Sequence, residues 1–469
     1  MKRQFPSWLV AALPPSSALP LHARHPARSV RHPKAARPVI EAMLPAATLR
    51  RPPSTPSAEA QAVASAAIVS GSRLKVMWLY LGCLLALAAS VRAETYVVLP
   101  FSNATLDKNL DWIGESIADN VSEILAAEGF VTAARADRVA VYHRLSLRSY
   151  ARLSKASVIK IGEELDAEHV IYGEFDVKPS KEAGAKTRGT LQVTGRVLDL
   201  RRLKQGPEFR ETGALEDLAL LQNHFGWQTV RVFKPNGSPE EEFRQRHPAV
   251  RVDALENYVR GLLASNPDEK HRFFSQASRL DLKYVAPRLQ LGHLDWNKKD
   301  YRSAAELFQK IPESDSHYRE ATFYLGLCRY YGGDFGGARN AFQIVAQSVP
   351  LNEVFNNLGA AASRRNEPEA LDAFRKALEG DGSDPAYLFN VGYALWKQGK
   401  FDQAAEKFRA VLDRDPADSV AGTLLARCDS HSGPRPGDTR MEGLERVKTN
   451  YEENQYWQLK AVLQPAKQE

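Results

Sequence analysis

Residues 399–416 read GKFDQAAEKFRAVLDRDP: a glycine before a phenylalanine, two adjacent alanines at Ala404 and Ala405, a phenylalanine at Phe408 and a closing Asp-Pro. Three relatives precede this stretch: KDYRSAAELFQKIPES from 299, GDFGGARNAFQIVAQSVP from 333 and NEPEALDAFRKALEGD from 366. Phe308, Phe342, Phe374 and Phe408 stand 34, 32 and 34 apart, and Ala304, Ala338, Ala370 and Ala404 keep the same intervals. Upstream of each lies a glycine inside a helical pattern, at Gly292, Gly326, Gly359 and Gly392, spaced 34, 33 and 33. A mid-helix glycine costs ~1 kcal/mol against alanine. Keeping four of them in phase implies close approach of paired helices, with each glycine expected to face an alanine and the phenylalanine to fill the space beside them.

The pattern resembles the tetratricopeptide repeat, in which a Leu-Gly pair marks a first helix and Ala, Phe and a closing Pro mark a second. Here the pairs are Leu291-Gly292, Leu325-Gly326, Leu358-Gly359 and Val391-Gly392, and the closing prolines are Pro350 and Pro416. Ser316 stands where one unit would have proline. A weaker unit precedes them, with Phe274 34 residues before Phe308 and Tyr258 where its glycine is expected. Residues 418–429 read as a closing helix, as terminal repeats of a stack often differ from the rest.

Ahead of the repeats the pattern changes to βαβααβββα, from ETYVVLPFSN at 94 to a helix over LEDLALLQNHFGWQTVRVF at 215. The expected fold is a small mixed-sheet α/β domain at 94–234, a linker at 235–250, an all-α tetratricopeptide solenoid at 251–430 and a tail at 431–469 with an amphipathic helix over 444–463. VVLPFSN, WIGESIADNVSEIL, IGEELDAEHVIYGEF and VTGRVLDL resemble the amino-terminal domain of TolB and of FlgO- and CsgG-type envelope proteins. That resemblance implies an envelope protein with an interaction role and supplies no catalytic site.

The net charge of +7 is concentrated at the start of the chain, where residues 1–76 hold 11 Lys and Arg, two acids and 11 of the 27 prolines. This leader has no apolar periodicity and is expected to be disordered. After Arg73 and Lys75 come a 14-residue apolar run, Trp78 to Val91, and a small-residue exit at Ala93, which reads as a secretory signal at 77–93. The run is shorter than the ~20 residues of a transmembrane helix. A signal normally starts a chain, so the leader is read as an over-extended gene start. The expected place is the periplasm or envelope of a diderm bacterium, with membrane anchoring by an uncleaved signal as the alternative.

No nucleophile elbow, paired-histidine helix turn, cysteine ligand set or phosphate loop is present in the sequence, so the expectation is a protein with no catalytic residue, metal or cofactor. Cys328 and Cys428 have neither disulfide-framework nor metal-ligand spacing. Arg144, Arg148 and Arg152, with Lys155 beyond, recur at helical spacing as a candidate anion-binding face; nucleic acid is not expected without an aromatic ladder. The candidate partner-binding surface is the concave side of the solenoid, for a protein or peptide with apolar anchors. Its residues would be Leu289, His293 and Trp296 in one unit, Phe323, Leu327 and Tyr330 in the next, then Asn356 and Arg364, then Phe389, Tyr393 and Trp396. Some of these aromatics could instead pack within the stack. Asn357 and Asn390 occur, without the lysines that accompany such asparagines in carboxylate-clamping relatives. The reading is an exported scaffold; the alternative is a sensory module holding a small ligand or glycan in the α/β domain.

Overall fold

The computed structural model describes residues 94–105, 107–148, 151–179 and 189–463. The leader and the signal lie outside the described residues. Branched and aromatic runs form the strands β1 (Thr95–Val98), β2 (Ser102–Asn103), β3 (Val131–Thr132), β4 (His169–Pro179), β5 (Gly189–Asp199) and β6 (Lys204–Ala214). Their order is β3-β1-β4-β5-β6, with β2 also on β4; β1 is parallel to β3 and β4, while β5 is antiparallel to both of its neighbours.

Period-two alternation sends β1 side chains to both faces of this mixed sheet. Tyr96 and Val98 join one buried cluster with Ile117, Val121 and Phe225, from helices α1 (Trp112–Ala127) and α4 (Leu218–Phe233). Val97 and Leu99 join another with Val141, Val158 and Ile161, from α2 (Arg135–Arg144) and α3 (Lys155–Glu164). Between the two layers sits a buried ion pair, Arg138 Nη2 to Glu115 Oε1 at 2.6 Å, and Arg138 Nη1 also donates to the Val98 carbonyl at 3.0 Å.

The expected linker is a packed connection. It carries the short helix α5 (Glu240–Arg246), whose Phe243 is buried in the same cluster as the sheet domain's Tyr96 and the solenoid's Tyr258 and Phe274. Asn223 Nδ2 donates to the His247 carbonyl at 2.8 Å, fixing the connection to α4. The charged side chains of 240–246 stay toward the surface, where Arg246 pairs with Glu128, and Phe243 is the residue this helix buries.

Helix pairs follow: α6 (Val252–Leu263) with α7 (Pro267–Leu280), α8 (Ala286–Asn297) with α9 (Tyr301–Phe308), α10 (Tyr318–Tyr331) with α11 (Phe335–Ser348), α12 (Asn352–Arg364) with α13 (Ala370–Gly380), and α14 (Pro385–Lys397) with α15 (Phe401–Leu412), closed by α16 (Ser419–Asp429). The glycines face the phenylalanines, which corrects the expected glycine-to-alanine pairing. A Cβ on Gly292, Gly326, Gly359 or Gly392 would lie 2.6, 2.7, 2.7 or 3.0 Å from the ring of Phe308, Phe342, Phe374 or Phe408. The repeat thus spends its smallest residue on admitting its largest, while Ala304, Ala338, Ala370 and Ala404 are buried elsewhere in the pair. The unit thought to lack a glycine has one: a Cβ on Gly261 would lie 2.5 Å from the Phe274 ring. It stands three residues after Tyr258, about one helical turn on, which keeps it on the same face.

Cys328 and Cys428 are buried free thiols, and burial pushes them up to about 12 and about 11. Among the described residues no helix is long and apolar enough to cross a membrane.

Candidate functional site

The concave face is not an open hollow: the chain's own tail lies along it. After α16, residues 444–452 form neither helix nor strand, and a final helix α17 (Glu453–Leu463) begins only at Glu453. The expectation of a helix from 444 therefore fails for its first nine residues. Their main chain is held by side chains of the solenoid, an arrangement that removes the helical alternative.

Asn390 Nδ2 donates to the Arg446 carbonyl at 2.8 Å, and Arg446 N donates to Asn390 Oδ1 at 2.8 Å. Asn357 repeats the bridge two residues along, with Nδ2 to the Lys448 carbonyl at 2.7 Å and Lys448 N to Oδ1 at 2.8 Å. Asn356 Nδ2 also reaches the Arg446 carbonyl, at 2.7 Å, and its Oδ1 accepts from Asn390 Nδ2 at 2.7 Å. Asn357 and Asn390 each precede the repeated glycine by two residues, so successive repeats present the same carboxamide to alternate residues of an extended chain. Each carboxamide stands in for the edge of a neighbouring strand.

Side chains add to this grip. The Arg446 guanidinium lies 3.6 Å from the centre of the Phe389 ring, and its Nη2 pairs with Asp418 at 2.6 Å. Burial alone would raise the Asp418 carboxyl, but the Ala421 amide and Arg446 outweigh it and hold the group below its usual range. Lys448 pairs with Asp384 at 2.5 Å. Glu445 is buried and accepts from the Ser363 hydroxyl at 2.6 Å. Lys397 lies in the same pocket, donating to the Ser363 carbonyl at 2.8 Å, and burial lowers its ammonium despite the Glu445 charge nearby. Met441, Leu444 and Val447 pack on the cluster holding Phe389 and Trp396, and Tyr451 on the one holding Phe323. Farther along, Glu353 accepts from the Glu452 amide at 2.8 Å, and Arg319 pairs with Glu453 at 2.6 Å. The tail thus runs antiparallel to the order of the repeats, from α14 to α10.

The expected groove residues divide. Asn356 and Phe389 grip Arg446; Tyr393 donates its hydroxyl to the Met441 carbonyl at 2.6 Å, and the Phe323 and Tyr451 rings lie 5.0 Å apart. Trp396 Nε1 donates to the Ser432 carbonyl at 2.9 Å, just past α16. The Arg364 guanidinium lies over the Phe335 ring at 4.6 Å, and Tyr330 meets the same ring at 5.3 Å. The others pack inside the stack: Leu289 and Leu327 are core residues, His293 meets Phe308 and Tyr324, and Trp296 sits among Tyr301, Tyr324 and Tyr331.

The arginine face is a correction. Arg144 ends α2 and Lys155 begins α3, with Arg148 and Arg152 in the segment between. Ser146, at φ 54°, breaks the first helix and the Ser154 side chain caps the second. Arg144 pairs with Glu164 and Arg152 with Glu174, so no shared face forms.

A second concavity lies where the sheet domain meets the solenoid, a cleft of about 200 Å³ whose walls include Asp119, Glu123, Tyr284, Asp315 and His317. Burial alone would lower the His317 imidazole; its bond to Asp315 at 2.8 Å and the Glu123 charge prevail and push it up to about 9.

The family model of the tetratricopeptide repeat matches residues 289–353 and 355–419. These residues form tetratricopeptide repeats. Among curated proteins, the chain is 26% identical over 159 residues to the Arabidopsis thaliana protein CTR9 homolog, covering 33% of this chain and 14% of that protein. It is 26% identical over 139 residues to the Photosystem I assembly protein Ycf3 of a Synechococcus strain, covering 25% of this chain and 80% of that one. The chain therefore spans only a small part of the first relative. Of solved structures, YrrB, described as a tetratricopeptide protein with an unusual peptide-binding site, is 21% identical, covers 34% of this chain and 82% of its own, and superposes with a TM-score of 0.31.

Proposed function

We propose that this protein is a non-catalytic scaffold whose tetratricopeptide groove holds a protein partner by an extended peptide. The observation that carries the reading is the pair of asparagine bridges, from Asn357 and Asn390 to the main chain of Lys448 and Arg446. A carboxamide that both donates to and accepts from one residue grips backbone whatever the side chain, and two such grips in consecutive repeats select an extended chain. Asparagine is a poor helix former and costly to bury unpaired, so its place in two buried helix interiors is accounted for by this task.

The mixed-sheet domain attaches the scaffold to an envelope component, a reading that rests on the TolB-like motifs of 95–234. Export to the periplasm or cell envelope rests on the signal at 77–93, with an uncleaved signal as anchor the alternative. A small ligand or glycan in the sheet domain finds less support. The cleft of about 200 Å³ beside His317 is small for such a site, and the two concavities of about 510 Å³ at this domain, beside Asp137 and beside Glu211, are open and bring together no set of groups that selects a ligand.

Crosslinking in the producing cells tests the reading. With a photoreactive phenylalanine analogue in place of Arg364, irradiation is expected to give an adduct to a second protein besides the product internal to the chain. Internal product alone, under every growth condition tried, contradicts the scaffold.

A further inference from the structure

We infer that residues 441–453, MEGLERVKTNYEE, are a built-in occupant of the groove, and that its partner is an extended peptide carrying the same acid, base, apolar, base order, which enters by displacing this strap. The inference rests on the groove reading above and names the partner's chemistry.

Each element of that order has a matching wall. The acid at Glu445 enters the buried pocket of Ser363 and Lys397. The bases at Arg446 and Lys448 meet Asp418 and Asp384. Those two aspartates also cap the first turns of α16 and α14, accepting from Ala421 N and from Ala386 N and Tyr387 N, so the repeat architecture itself delivers one acid per base. Aromatic faces back both cations, Phe389 under Arg446 at 3.6 Å and Tyr387 under Lys448 at 4.9 Å. Between them Val447 turns to the apolar cluster. Capping alone would need the aspartates but not the rings, the asparagines or the buried serine-lysine pocket. Together they form a recognition track read along the peptide.

The strap is held in a way that permits exchange. The Arg446 and Lys448 side chains remain 29% and 25% exposed over aspartates that are 7% and 18% exposed, so water and salt reach these pairs from the strap's side and the acidic wall stays in place when the strap leaves. The strap's advantage is its tether: a linked segment competes at an effective concentration of the order of millimolar. A free peptide with the same contacts gains access when that tethered copy is weakened, or when the partner adds contacts beyond the strap's length.

Fluorescence anisotropy with a labelled peptide of residues 441–453 tests this on the full chain, on an Arg446→Glu/Lys448→Glu variant, and on that variant with Asn357→Ala/Asn390→Ala added. The strap variant is expected to bind the peptide at least ~100-fold more tightly than the unaltered chain, and the added asparagine changes to abolish the gain. Equal affinity of the unaltered chain and the strap variant overturns the proposal. So does loss of the cooperative melt on Arg446→Glu/Lys448→Glu, which would make the strap a permanent strut. A unaltered chain that self-associates, and is returned to monomer by the peptide, would place the strap in a second copy and overturn occupancy within one chain. If the strap variant takes up unrelated extended peptides but not this one, the strap's identity fails and the peptide groove stands. If it binds none, both fail.

Discussion

Phe342→Ala is expected to lower the unfolding free energy by about 3–5 kcal/mol. Phe342 is fully buried, and its ring occupies the space that Gly326 leaves by having no side chain, 2.7 Å from where a Cβ would stand. It also meets the Phe323 ring at 5.8 Å and shares a core with Leu327, Val345 and Val354 from three helices and with Val349 just past α11. Removing it leaves a cavity between paired helices that the glycine cannot fill. In a stack each unit leans on its neighbours, so the loss is felt beyond one pair. Urea denaturation followed by circular dichroism measures the change, and a loss under ~1 kcal/mol would mean that the rings are not what joins the repeats.

Arg138→Met is expected to cost a similar ~3–5 kcal/mol, in the sheet domain. Arg138 and Glu115 are both buried and 2.6 Å apart. Breaking the pair leaves the Glu115 carboxylate with Arg135, whose side chain is 30% exposed, and leaves the Val98 carbonyl without its Arg138 donor. A Glu115→Leu/Arg138→Met double variant is expected to recover part of the loss, because the charge then left without its partner is that of Arg135, which water reaches and which still donates to the Leu262 carbonyl at 3.3 Å. Strictly additive costs in the three denaturation midpoints would show that the two side chains do not act as a pair.

The repeats were legible because glycine, alanine and phenylalanine keep phase over four units, and close helix contact restricts those positions to a few residue types. The sheet domain was legible through strand alternation. The strap was not, because an extended segment gripped by another element's side chains has no period of its own. LERVKTNYEENQYWQLKAVL reads as a helix until the partners of its backbone are known. The signal that could have found it is the pair Asn357 and Asn390, at one offset from successive repeat glycines. Judged against a carboxylate clamp, they looked incomplete; as grips for a peptide main chain they need no lysine. Gly261 escaped because it stands two residues from the end of α6, where the other repeat glycines stand five from the ends of their helices, which moves it about one turn from the expected place. The arginine spacing from 144 misled for the opposite reason: a four-residue interval persists through a loop as easily as through a helix, and Ser146 and Ser154 are what break it.

The most direct test of the account is hydrogen exchange at the backbone amides of Arg446 and Lys448, the two that donate to Asn390 and Asn357. In the unaltered protein both are predicted to exchange at least ~100-fold more slowly than in an unstructured chain, and to lose that protection together in Asn357→Ala/Asn390→Ala. Exchange of both amides at the unstructured rate in the unaltered protein would contradict a tail held in the groove.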